Sequence, residues 1–152
     1  MSLSEELEAL RNIPMFANVE PTQLKLLAFT SQRLTFGAGQ DLFRRGDVGD
    51  SAYIIISGEA DVLVDKEGTE VAVAKAGKNE IVGEIAILCN VPRTATIRAV
   101  TELTALKIPK DLFFRLIAEF PDMGVQVMAE LARRLHRTTQ QLTEALAKLE
   151  DR

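Results

Sequence analysis

Val82-Gly83-Glu84-Ile85-Ala86-Ile87-Leu88 and, after a short gap, Pro92-Arg93-Thr94-Ala95-Thr96 decide how this chain is read. They place a glycine, a carboxylate, a short apolar helix and an arginine in that order. No catalytic scheme needs this set. A small anionic ligand carrying a sugar hydroxyl does. Gly83 and the first amides of a helix starting there offer N–H donors at a helix end where an anion is stabilised. Arg93 offers a planar fork that fits phosphate oxygens in pairs. Glu84 would repel a phosphate, but it accepts a hydrogen bond from a hydroxyl, and a ribose supplies one.

Outward from this stretch, from about residue 31 to residue 108, the period is two. Leu34 and Phe36, Tyr53 and Ile55, Ala60, Val62 and Val64, then Val71 and Val73 each alternate with other positions. Turn signals separate them: Gly37-Ala38-Gly39, Gly46-Asp47-Val48-Gly49-Asp50, Ser57-Gly58, Glu67-Gly68 and Gly77-Lys78. Ala95, Ile97 and Ala99 then oppose Thr94, Thr96 and Arg98, and Leu106 and Ile108 close the series. Many short strands at nearly regular spacing predict a mainly β fold, an antiparallel roll or barrel with flanking helices.

Both ends read as helical. Leu3, Leu7 and Leu10 share a face and Pro14 closes that segment. Pro21 starts a second helix carrying Leu24, Leu27 and Ala28. Asp111 to Ala118 forms a short helix, and Pro121 opens a long one reaching about Glu150. In it, Gly124, Met128, Leu131, Leu135, Thr138, Leu142, Ala145 and Leu149 keep a strict 4,3,4,3 spacing, a heptad seam. Two readings stand: a helix packed on its own roll, or a parallel pair of such helices between two subunits. The length of the seam favours the pair, hence a homodimer.

The chain has 152 residues, enough for a single domain spanning 1–152, with helices in 1–30, a roll in 31–108 interrupted by a helix at 83–89, and helices in 110–150. A formal net charge of −4 argues against the broad basic face of a nucleic-acid binder. No apolar run reaches the roughly 20 residues that span a bilayer, and no signal-peptide pattern precedes the first helix. The single cysteine, Cys89, excludes an internal disulfide and points to the cytoplasm. It reads as a small buried hydrophobe, the single histidine, His136, as a partly exposed helical residue. Phe113, Phe114, Leu116 and Ile117 read as core-facing or lid-like. Arg133, Arg134 and Arg137 read as a solvated face, with stacking on a purine or pairing with Glu84 as the alternative.

The segment from Gly83 to Thr96 resembles the phosphate-binding cassette of cyclic nucleotide-binding domains, the family of the cAMP-dependent protein kinase regulatory subunit and the bacterial catabolite activator protein. Phe36-Gly37-Ala38-Gly39-Gln40, Phe43-Arg44-Arg45-Gly46-Asp47 and Tyr53-Ile54-Ile55-Ile56-Ser57-Gly58 are similar to the family's early strands and turns. The resemblance implies an eight-stranded antiparallel β-roll, a jelly roll, with N-terminal helices and a long C-terminal helix. It implies that the Gly83 amide and the Glu84 carboxylate bind the ribose 2′-hydroxyl. Arg93 would pair with the cyclic phosphate, and the amides of Ile85 and Ala86, with Thr94, would complete the phosphate shell. Ala132-Arg133-Arg134-Leu135-His136-Arg137-Thr138-Thr139 is similar to the helix segment that contacts adenine, one contact coming from the partner subunit. Thr138 and Thr139 stand at those base-reading positions, which favours cAMP. Thr94 after the arginine often accompanies guanine in this family and keeps cGMP as the alternative. No metal or resident cofactor is implied.

Three rival functions meet the same residues. An enzyme on such a roll would need a histidine cluster for a metal or a Ser-His-Asp set, and one histidine builds neither. A ligand-free docking module of the same fold would leave no reason for Gly83, Glu84 and Arg93 to stand together. A transcription regulator would read DNA through a helix-turn-helix after the long helix, so this chain by itself is not expected to bind nucleic acid. A regulatory piece of a channel, transporter or transcription regulator fits equally.

Overall fold

The computed structural model describes residues 3–13, 16–17 and 19–151. Helices α1 (Leu3–Arg11) and α2 (Pro21–Thr30) lead into strands β1 (Gln32–Phe36), β2 (Asp41–Phe43), β3 (Ser51–Ser57), β4 (Ala60–Lys66), β5 (Thr69–Ala76) and β6 (Ile81–Val82). A short helix α3 (Glu84–Leu88) precedes β7 (Thr96–Ala99) and β8 (Leu103–Pro109), and α4 (Lys110–Glu119) and α5 (Pro121–Glu150) follow. Two four-stranded sheets, ordered β1-β8-β3-β6 and β2-β7-β4-β5, form the roll, and their strand pairings are antiparallel. Pro21 and Pro121 each stand in the first turn of their helix, where a missing N–H costs nothing. The expected closure of the first helix by Pro14 lies outside the described residues.

Alternation alone misreads β3. Residues 51–56 are all buried, because both faces of this strand are covered. Ala52, Ile54 and Ile56 join Leu10, Leu24, Leu27, Phe113 and Met123 in a cluster beneath the helices. Tyr53 and Ile55 join Leu42, Val82, Ile97 and Leu103 inside the roll. The strand is therefore the wall between two cores. The reverse holds for β5, where Val71 and Val73 alternate as expected but stay exposed. This edge strand pairs, among the described residues, only with β4.

Two further expectations, for the α5 seam and for Cys89, meet the structure differently. Helices α4 and α5 turn at Phe120, and Gly124 lets them close: a Cβ there would stand 3.1 Å from Ile117 Cγ2. Met123 and Val127 anchor α5 to the core, and Leu131 packs partly against it. The seam beyond is uncovered: Leu135 is 68% exposed and Leu149 61%. A helix lying along its own roll is thus not what the seam forms in this chain. Cys89, expected to be a small buried hydrophobe, is exposed, because it stands past the last turn of α3, at its C-terminal cap. His136 is exposed, Phe113 and Leu116 are core residues, and Phe114 is on the surface.

Candidate ligand-binding site

Strand β6 leads into Gly83, whose φ of +85° lies in the left-handed region that favours glycine. A side chain there has no room either, since a Cβ would stand 2.6 Å from Arg93 Nη1 and 3.2 Å from Phe43 Cε2. The turn aims the chain into α3, which buries Glu84, Ala86 and Ile87. Helix α3 is seated by the β2–β3 turn: a Cβ on Gly49 would come within 2.3 Å of the Ala86 Cβ. The first turn of α3 has no side-chain cap, which leaves its leading amides open to another acceptor.

The same β2–β3 turn holds Arg93 by its main chain. The Arg93 amide donates to Asp47 O at 2.8 Å, and the Gly46 amide donates to Arg93 O at 2.8 Å. Its side chain turns inward, and the residue is 3% exposed. Nη1 donates to Gly83 O at 2.8 Å and Nη2 to Ser51 O at 2.7 Å. Carbon Cζ lies 4.1 Å from the centroid of the Phe43 ring. The carboxylate in ion-pair range is Asp50, at 3.9 Å and largely exposed. Nε is buried with no partner among the described residues. Burial pulls the Arg93 pKa down, opposed by Tyr53, Asp50, Asp47 and Glu84; a guanidinium stays charged regardless. A buried cation with an unfilled donor is costly unless an anion completes it.

Beside it opens a cavity of about 110 Å³. Phe43, Val62, Val82 and Ile97 form an apolar wall, Gly83, Glu84, Ile85, Ala86, Arg93, Thr94 and Ala95 line it from the cassette, and Arg134 reaches it from α5. All six residues assigned to phosphate and ribose therefore meet in one concavity. Thr138 and Thr139 do not: both are exposed on α5 and neither lines the cavity. A single chain does not bring the expected base contacts to this site.

Glu84 is 1% exposed. Burial pushes its pKa up, opposed chiefly by Arg134, by its own amide and by Arg93, while Glu130 adds to the rise. Arg134 Nη1 donates to Glu84 Oε1 at 2.7 Å, and Nη2 donates to Ile81 O. Glu130 holds Nε of the same guanidinium at 3.4 Å. Arg134 thus departs from the solvated face expected for Arg133, Arg134 and Arg137, and the pairing with Glu84 is the reading that holds for it. Through it, α5 is fastened to the carboxylate of the cavity. Sequence reasoning missed Phe43 as a site residue, since it carried no signal beyond its place in an early strand. It also missed the Ser51 carbonyl, whose role does not depend on side-chain type.

Residues 33–120 match the family model described as the cyclic nucleotide-binding domain. The chain belongs to that family. The resemblance read from the cassette is borne out, as is the roll flanked by N-terminal helices and a long C-terminal helix. Among relatives of this cyclic nucleotide-binding domain, a "CRP-like cAMP-activated global transcriptional regulator" of Mycobacterium tuberculosis is 32% identical over 91% of the chain and 62% of its own length. A "cAMP-dependent protein kinase regulatory subunit" of Blastocladiella emersonii is 34% identical over 75% of the chain and 28% of its own length. The chain thus spans less than two thirds of the length of either relative. The solved catabolite activator protein of Thermus thermophilus superposes with a TM-score of 0.74 at 28% identity, covering 85% of this chain and 61% of that one. The first two are regulators by name. No helix among the described residues is long and apolar enough to cross a membrane.

Proposed function

We propose that this domain binds cAMP in the cavity between Arg93 and Glu84 and reports the binding through α5. The observation that carries the reading is the buried Arg93 Nε without a partner, beside a cavity that Glu84 also lines. One guanidinium matches the single charge of a cyclic phosphate, and the neutral amides of Ile85 and Ala86, with Thr94, add donors without adding charge. Glu84 accepts from the ribose 2′-hydroxyl beside the Gly83 amide. Because Glu84 already holds Arg134, a sugar arriving there changes what holds α5. That differential contact is what coupling requires.

The base reader is a second copy. The exposed seam of α5 pairs in parallel with its counterpart, and Thr138 and Thr139, outside their own cavity, serve across the pair. A homodimeric sensor in the cytoplasm is the form this reading takes. The test is a calorimetric titration with cAMP and cGMP of the unsubstituted chain and of Arg93→Ala. The reading expects cAMP to bind more tightly. Removing one partner of a buried charge pair costs about 2–5 kcal/mol, roughly a thirty-fold to several-thousand-fold loss. Unchanged affinity in Arg93→Ala would refute the phosphate assignment, and preference for cGMP would refute the base assignment.

A further inference from the structure

We infer that Phe43 is a positioning residue for the anion site: its ring is the platform that holds the Arg93 guanidinium in the orientation in which it meets phosphate. The inference rests on the cyclic nucleotide reading and extends it to a residue outside the cassette. Two carbonyls, Gly83 O and Ser51 O, fix the ends of the guanidinium. Hydrogen bonds of this kind lie in the guanidinium plane and leave its face unsupported. Phe43 covers that face, with Cζ 4.1 Å from the ring centroid. The ring is itself held, since its centroid lies 5.7 Å from that of Tyr53, and Tyr53 in turn meets Phe36 edge-on at 6.5 Å. Pairing of Phe43 with Ile97 across β2 and β7 sets the strand register that brings the ring to the cavity wall.

The choice of an aromatic partner has a chemical reason. A carboxylate close to Arg93 would neutralise the cation and compete with the incoming phosphate. The one carboxylate in range among the described residues, Asp50, stands off at 3.9 Å and is largely exposed, so solvent weakens its hold on the cation. An aromatic face stabilises a desolvated cation through its quadrupole without neutralising its charge or taking up an N–H, and Nε has no partner among the described residues. Gly83 makes the stack possible, because any side chain there would press on both the ring and Nη1.

The experiment titrates cAMP into the unsubstituted chain, into Phe43→Leu, and into chains with one, two or three fluorines on the Phe43 ring. Fluorine drains the negative face with little change of shape. The expected result is a roughly five- to thirty-fold weaker Kd for Phe43→Leu and a stepwise loss of affinity along the fluorinated series, each variant still melting as a folded chain. A flat fluorinated series would overturn the inference even if Phe43→Leu were weak, because the ring would then be mere filler. Should Phe43→Leu fail to fold, the fluorinated series decides. Failure of the unsubstituted chain to bind either cAMP or cGMP would bring down the functional reading itself; binding with a flat series would bring down Phe43 alone.

Discussion

Glu84 accepts from Arg134, and on the proposed reading it also accepts from a sugar hydroxyl; the ion pair needs it charged, and the hydroxyl contact is stronger when it is. Burial raises its pKa, with Arg134, Glu130 and Arg93 as the charged groups around it. On acidification, nucleotide affinity should therefore begin to weaken at a higher pH than the roughly 4.3 of an ordinary glutamate would cause. Folding responds with the opposite sign. A carboxyl whose folded pKa lies above its unfolded value adds stability below the unfolded pKa and loses it as pH rises through the folded one. Titrations from neutral pH downward should show affinity falling with acid in the unsubstituted chain and a weaker, pH-flat curve for Glu84→Gln. A parallel acid loss in Glu84→Gln would assign the effect elsewhere. Gly83, Glu84 and Arg93 were legible because their roles depend on residue type and local spacing. Phe43 was not, and Arg134 only as one of three arginines that could pair with Glu84, since each acts on a cassette residue far along the chain and only the fold joins them.

At the scale of elements, legibility followed the number of covered faces. Strand β3 hid its alternation because two cores claim it, and β5 kept its alternation although only Ala76 at its end is buried. The seam of α5 was plain in the sequence, but its partner was not. The structure narrows that question, for Leu135, Leu142 and Leu149 are more than half exposed. Burying a leucine side chain is worth about 1.5–3 kcal/mol, so a second seam would add appreciable stability. The expected outcome in sedimentation velocity is a dimer for the unsubstituted chain and a monomer for Leu135→Glu combined with Leu142→Glu. Both substitutions sit clear of the roll, so its melting should persist as a folded transition. A monomer without substitution would contradict the pairing.

In the whole molecule, the β2–β3 turn, the cassette and α5 form one connected assembly. The turn grips the Arg93 backbone and abuts α3 through Gly49; α3 presents Glu84, and Glu84 holds Arg134 of α5. A ligand completing the buried cation should stabilise all three together. The most direct measurement is the melting temperature with and without saturating cAMP. At a hundredfold excess over Kd, binding adds about 2.7 kcal/mol, roughly 5–10 °C for a chain of this size. The account predicts that rise in the unsubstituted chain and its loss at the same cAMP concentration in Arg93→Ala. An unchanged melting temperature in the unsubstituted chain, with cAMP and with cGMP alike, would contradict it.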